Sequence, residues 1–370
     1  MNDKHLRVGV IGAGSWAQRA HLPAFNRCKN AQVVAICDVN SKRSQEAAKR
    51  FRIPDVYTDH RKLFERTDID MFDIVTSASA HYPLAYEAIE KGKPILCEKP
   101  LATTYQNARL LAQLADVKKV KTKMGFTFRH SPAIRYMKEL IEEGFVGDIY
   151  HVNGFEQNSQ FINPMTPFRW NPGKTPEIIM SGSLEEYASH LIDVALWLVG
   201  DLTSIVGHMR NHIQTRRIRD LGNKMMKINI EDGCIFIGEF KNGAQATFQS
   251  SFIAVGGYPG LEFRVFGSKG ALIARLVEEF GVTESLKAAT PDKVEFTPIK
   301  IPSRFYPFEL SHEQPWINLY FGDLVQSFVN DILAERNTEG GFKAGAKSQE
   351  VQEAVIRSHL EKRWVSLPLN

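Results

Sequence analysis

The chain has 370 residues, 43% of them apolar and 24% charged, the proportions of a globular protein rather than a disordered or fibrous one. Its 46 Lys and Arg against 42 Asp and Glu leave a formal charge of +4, too little over this length to make the whole molecule a polyanion binder. At about 150 residues per domain, two or three domains are expected. Residues 8–11, an apolar run interrupted only by glycine, read as a strand buried on both faces. A helix pattern follows over 15–27, a second apolar run over 32–37, and a helix rich in Ala, Lys, Arg and Glu over 41–51. The order repeats with a strand at 72–75, a helix at 83–91, a strand at 94–97 and a helix at 105–115. Strands separated by helices of this length imply right-handed crossovers and a parallel sheet.

The second half has another rhythm. Residues 149–156, 234–240, 244–251 and 261–266 are β-rich, with turn signals at Lys241-Asn-Gly243 and Gly267-Ser-Lys-Gly270. A helix over 184–199 precedes most of them, and helical patterns at 320–334 and 348–362 close the chain. The change near 125–148 predicts one domain at 1–126 and a second at 127–370 that includes the C-terminal helices. The first seven residues are too short and polar for a signal peptide, and the longest apolar stretch, 194–199, is far short of the roughly 20 residues that cross a bilayer. Cysteines at 28, 37, 97 and 234 form no C-x-x-C pair, so reduced thiols, a cytoplasmic protein and no metal site are expected.

Gly12-Ala13-Gly14-Ser15-Trp16-Ala17 lies between the first strand and the first helix and fits G-x-G-x-x-G/A. The glycines permit a tight turn and close approach of backbone to a pyrophosphate, Ala17 permits tight helix–strand packing, and the helix N-terminus offers N–H groups to phosphate. Asp38, 21 residues after Ala17, can accept from ribose hydroxyls, and its charge repels a 2′-phosphate. NAD is therefore expected, with NADP as the alternative because Lys42 and Arg43 are close by. The bland competitor is a glycine-rich turn with Asp38 capping a helix.

Downstream come Ile95-Leu-Cys-Glu98-Lys99-Pro100 and Ser181-Gly-Ser-Leu-Glu-Glu186-Tyr-Ala-Ser-His190-Leu-Ile-Asp193. Together with the glycine turn, His21-Leu-Pro23, Phe240-Lys-Asn-Gly243 and Phe266-Gly-Ser-Lys-Gly270, they resemble the Gfo/Idh/MocA family of NAD(P)-dependent sugar and cyclitol oxidoreductases over nearly the whole chain. The resemblance implies an α/β Rossmann domain followed by an α+β domain with a large, mostly antiparallel sheet, and a substrate cleft between them. It implies Lys99 and His190 as catalytic groups, with Glu186 where the family usually has aspartate. It also implies cofactor contacts at Gly12, Gly14, Ser15, Trp16, Ala17, Asp38, Ser77, His81, Glu98 and Lys99, and substrate contacts at Lys99, Arg169, Glu186 and His190. Ser77, Ser181 and Ala188 are further departures from the common pattern, and they bear on substrate more than on fold.

The chemistry has its own logic. Oxidising an alcohol needs a base for the hydroxyl proton while hydride leaves for the nicotinamide. Histidine suits that work near neutral pH, a lysine stabilises developing alkoxide charge, and Glu186, four residues before His190, shares its helix face. The expected activity is a reversible dehydrogenase acting on a ring hydroxyl of a sugar, glycoside or cyclitol. A hydrolase or lyase cycling through a transient keto-sugar, and a cofactor sensor without catalysis, are the competitors. Four lysines over 118–123 and four arginines over 210–219 read as solvated loops, not as a nucleic-acid surface, and Trp16, Trp170 and Trp197 as packing. A homodimer or homotetramer is expected, because an antiparallel sheet with helices on one side leaves its other face to be covered.

Overall fold

A computed structural model describes residues 5–168, 182–257, 260–276, 284–307 and 316–369. The chain forms two compact units, Met1–His130 with Ile317–Gln349, and Ser131–Trp316 with Glu350–Asn370.

In the first unit β1 (Leu6–Ile11) leads through the glycine turn and a π-helical turn, Ala17–His21, into α1 (Leu22–Arg27). Then come β2 (Ala31–Cys37), α2 (Ser41–Phe51), β3 (Asp55–Tyr57), α3 (His60–Phe64), β4 (Met71–Ile74), α4 (Ala78–Glu90), β5 (Ile95–Cys97), α5 (Tyr105–Val117) and β6 (Thr122–Met124). The six strands are parallel, in the order β3-β2-β1-β4-β5-β6. That is the doubly wound Rossmann arrangement, with its topological switch between β1 and β4. Val8, Val10, Phe72, Ile74, Ile95 and Leu96 are fully buried, as expected for strands covered on both faces. Side chains of Asn40 and Thr104 accept from the first-turn amides of α2 and α5, which fixes where those helices begin.

The second unit holds α6 (Pro132–Glu142), β7 (Ile149–Gln157), a π-helical turn at Leu184–Ala188 that runs into α7 (Ser189–Leu198), and β8 (Leu202–Arg210). A separate hairpin pairs β9 (Thr215–Ile218) with β10 (Lys224–Lys227). Further strands are β11 (Gly233–Phe240), β12 (Gln245–Ser251), β13 (Leu261–Gly267), β14 (Ala271–Arg275), β15 (Ser285–Thr290), β16 (Lys293–Ile299) and β17 (Val365–Ser366). Nine strands form one sheet, ordered β16-β15-β14-β13-β7-β12-β11-β8-β17, antiparallel throughout except between β7 and β12. Cys234, Phe236, Phe240, Ala246 and Phe248 point to its covered face, where Gly154 lies against Leu191 of α7. Ile235 and Ile237 stand on the other face, 54% and 40% exposed.

The last two helices are α8 (Trp316–Leu333) and α9 (Phe342–Glu361). Their placement differs from the expected split at 126, since residues 317–349 belong to the first unit. Phe321 lies 4.3 Å from the His21 ring and edge-on to Trp16, Asn318 accepts from Arg27, and Gln349 exchanges hydrogen bonds with the backbone of Ala102. Helical periodicity marks such segments as helices but does not name the surface they cover. The two charge runs are also not wholly solvated. Lys123 sits in β6, 5% exposed, donating to the carbonyl of Glu339, and burial lowers its pKa to about 8. Arg216 is 1% exposed, paired with Asp232 at 3.0 Å and stacked over Phe168. Among the described residues no helix is long and apolar enough to cross a membrane.

Candidate active site

The C-terminal ends of the parallel strands gather most of the residues named from sequence. At the end of β1, Gly12 has φ +107°, and a Cβ there would fall 2.3 Å from the Val75 carbonyl oxygen, so only glycine fits. Gly14 is the opposite case: a Cβ there would meet nothing within 4 Å. Its backbone therefore borders open space, with exposed Ser15 starting the helical run beside it. Asp38, at the end of β2, accepts from the amides of Ala13 and Asn40 at 2.8 Å each, and Arg43 stands 3.5 Å from it. Ser77, exposed, follows β4 and precedes α4. This cradle fits a dinucleotide: backbone amides at a helix start for phosphate, an acceptor at the second strand for ribose.

Glu98, the residue after β5, is buried and turned inward. Its Oε1 accepts from the Trp16 indole N–H at 2.9 Å and faces Nε2 of His21 at 3.1 Å, while Oε2 accepts from the amide of Lys99 at 3.1 Å. Trp16 is thus more than packing. A Cβ on Gly125 would fall 2.4 Å from Oε1, so the glycine of the next strand end makes room for the carboxylate. Lys99 itself is half-buried. His81, another residue expected at the cofactor, is buried in α4. It is 1% exposed, with Nδ1 2.6 Å from the carbonyl of Pro100 and Nε2 3.3 Å from that of Thr76. Burial lowers its pKa, and the ring stands between carbonyls of the loops after β4 and β5.

In the second unit His190, half-buried, lies in the first turn of α7, and Glu186, exposed, lies in the π-helical turn before it. Glu185 turns inward instead, 8% exposed. Glu231, which the sequence did not single out, accepts from the amide of Leu184 at 2.8 Å and anchors the start of that turn. Gly182 is obligatory beside it, for a Cβ would overlap the Glu231 carboxylate at 1.8 Å. Burial pushes the Glu231 carboxyl up to about 8. Tyr187 stacks edge-on to Phe252, and its hydroxyl donates to Gln160 while accepting from Asn158. Arg169 and Ser181 lie outside the described residues. Among the described residues no cluster of His, Cys, Asp or Glu is placed to hold a metal ion.

Residues 6–126 match the model of the oxidoreductase family with an NAD-binding Rossmann fold, and residues 134–273 match that of the GFO/IDH/MocA C-terminal domain. The chain belongs to the GFO/IDH/MocA family. Among the relatives of this NAD-binding oxidoreductase is a levoglucosan dehydrogenase of Pseudarthrobacter phenanthrenivorans, 25% identical over 99% of both chains. Another is a glucose-6-phosphate 3-dehydrogenase of Bacillus subtilis, 27% identical over 98% of both. A solved levoglucosan dehydrogenase in complex with NADH and L-sorbose superposes with a TM-score of 0.86 at 25% identity, over 98% of this chain and 99% of that one. A GFO/IDH/MocA chain accounts for both halves described above, the six-stranded parallel sheet and the nine-stranded mixed sheet.

Proposed function

We propose that this protein is an NAD-dependent dehydrogenase that moves a hydride between the nicotinamide and a ring hydroxyl of a sugar, glycoside or cyclitol. The observation that carries the reading is the placement of Lys99. It stands two residues past β5, in the same row of strand ends as the glycine turn, with its backbone held by a buried carboxylate. The sugar substrates named for the relatives support the substrate class. NAD rather than NADP is the cofactor in this reading, because Asp38 presents a carboxylate at the end of β2.

In the oxidative direction the hydroxyl gives up a proton and the carbon a hydride, which bound nicotinamide accepts. His190 takes the proton, since an imidazole is a competent base near neutrality. Lys99 hydrogen-bonds the same oxygen and stabilises its developing negative charge. Glu186 grips a neighbouring hydroxyl or orients the imidazole. The turn from Gly12 to Ala17 holds the pyrophosphate, Asp38 the adenosine ribose, and Ser77 borders the nicotinamide half. In reduction the same groups act in reverse.

The test is absorbance of reduced nicotinamide with purified protein, NAD+ or NADP+, and a panel of inositols, aldoses, anhydrosugars and glycosides. Production of reduced cofactor with one polyol class supports the reading. Glycoside cleavage with no net change in cofactor replaces it with a cycling hydrolase. The exposed Ile235 and Ile237, on the sheet face opposite α7, support a homo-oligomer formed by pairing that face with a second copy. Light scattering on the wild type and on Ile237→Glu tests this: a multimer that dissociates in the variant supports it, a monomeric wild type overturns it.

A further inference from the structure

Behind the strand ends lies a polar assembly that the proposed chemistry does not use. His21, Asp73 and Glu98 form a continuous chain of contacts, and His21 and Asp73 are completely buried. Nδ1 of His21 is 2.9 Å from both carboxylate oxygens of Asp73, and Nε2 is 3.1 Å from Oε1 of Glu98. Phe321 covers the ring at 4.3 Å. Only an imidazole protonated on both nitrogens donates to both carboxylates at once.

The sequence explains how the ring arrives there. Pro23 has no amide proton to continue the α-helical ladder, and the amide of Leu22 reaches five residues back to the carbonyl of Ala17. The extra residue in that turn carries His21 inward, under the glycine turn. Asp73 is the only acidic residue of β4, in a strand flanked on both sides by neighbours. A carboxylate there is tolerable only with a hydrogen-bonded cation beside it.

We propose that His21 is a positioning residue for the Glu98–Lys99 turn, wedged between the carboxylates of Asp73 and Glu98 so that β4, β5 and the glycine turn hold Lys99 in one place. The inference rests on the reading of Lys99 given above and extends it to residues that touch neither substrate nor cofactor. Glu98 is gripped from three sides, by Trp16, His21 and the Lys99 amide, and His21 is the only one of the three that also reaches β4. With the ring protonated the three buried groups sum to one negative charge. Without that proton they sum to two, and one of the ring's two donated hydrogen bonds is gone. Burial acts to strip the ring of its proton, but the two carboxylates together win, and His21 is raised to about 9. Burial likewise pushes the Asp73 carboxyl up against the pull of His21, so the pair keeps its proton through neutrality. The groups facing the ring are Asp73 from β4, Glu98 from the end of β5, and the uncharged Phe321 from α8. The charge of Lys99 also helps to hold the Glu98 carboxyl down.

The test uses the full chain in three forms, wild type, His21→Gln and Asp73→Asn. With 15N-histidine labelling, one wild-type imidazole is expected to stay protonated on both nitrogens at pH 8 and to titrate near 9. That signal disappears in His21→Gln and titrates lower in Asp73→Asn. The rate of Lys99 acylation by acetic anhydride, read by peptide mass spectrometry, then changes about threefold or more in whichever variant retains native circular dichroism, while exposed Lys62 reacts as before. Turnover falls on the order of tenfold or more, the scale expected when a catalytic group is displaced by a fraction of an ångström. Its alkaline limb near pH 9 is lost in His21→Gln. Absence of the doubly protonated imidazole in the wild type overturns the proposal, as does wild-type reactivity of Lys99 in a folded variant. If the wild type oxidises no polyol, the proposed function fails while the imidazole and acylation readouts still decide the role of His21.

Discussion

Alanine in place of Gly12 and of Gly14 separates what the glycine turn does for folding from what it does for binding. At Gly12 the added Cβ would lie 2.3 Å from the carbonyl oxygen of Val75, 2.7 Å from its carbon and 3.2 Å from the amide of Thr76. These are backbone atoms, and both sides are anchored: Gly12 donates to Cys37 at 2.7 Å, and Val75 donates to Ile11 at 2.8 Å. Relieving the overlap breaks at least one of these bonds, worth about 1 kcal/mol, and the positive φ adds about 1–2 kcal/mol for a residue with a Cβ. Gly12→Ala should therefore lose about 2–3 kcal/mol of stability. At Gly14 the Cβ enters empty space, so stability should change by less than about 0.5 kcal/mol. In the proposed reading the pyrophosphate comes against the backbone from that open side, where the methyl group would stand. Losing one charge-assisted hydrogen bond costs about 1.5–3 kcal/mol, or roughly 10- to 100-fold in NADH affinity. Urea denaturation and quenching of protein fluorescence by NADH measure the two quantities. Gly14→Ala binding NADH like the wild type, or unfolding as readily as Gly12→Ala, would refute the assignment of the turn.

Lys99→Met and His190→Ala should each lower turnover by about 100-fold or more while NADH affinity stays within about threefold, measured on the best substrate of the panel. Glu231→Gln tests a buried acid: because the folded pKa is raised from 4.5 to about 8, its contribution favours the fold below pH 4.5 and drains away as pH climbs to 8. The variant should therefore gain on the wild type by up to about 4 kcal/mol between pH 5 and 8.5 in urea titrations, and parallel curves would contradict the burial. Arg216→Met strands Asp232 in the interior, and calorimetry should show a loss of about 3 kcal/mol; a loss below about 1 kcal/mol would mean that the ion pair is not buried as described.

The architecture was legible wherever the chain repeats itself. The run before Gly12, the Ala-rich helix at 41–51 and the Asn-Gly turn before Ala244 each carry a local signal, and the structure places elements there within a few residues. What escaped was short or depended on distant partners. β3 and β6 have three residues each, too few for a period to show, and β6 carries a lysine that looks solvated until Glu339 is seen beside it. Arg216 resembles its exposed neighbours in sequence and differs only because Asp232 and Phe168 enclose it. At the site, glycine spacing and the Glu-Lys-Pro string marked the cradle and Lys99. His21 stood in view as part of His-Leu-Pro, but its role depends on Asp73, 52 residues away, and no local pattern links the two. The inward turn of Glu98 and His81 was hidden for the same reason: motif matching says where a residue stands in the chain, not which way it faces.

The return of residues 317–349 to the first unit bears on how a cell makes this protein. A nascent chain that has just emitted β6 carries all six parallel strands, yet it lacks Phe321 over His21, the Phe342 amide that meets Thr122, and the Gln349 side chain that binds Ala102. Those groups leave the ribosome only after residues 131–316, which belong to the second unit. Until then the cofactor unit waits with an uncovered apolar flank at Leu101, Met124 and Phe126, a surface of the kind that recruits chaperones or partners wrongly. The first unit is whole only after the segment 131–316 of the second has been made.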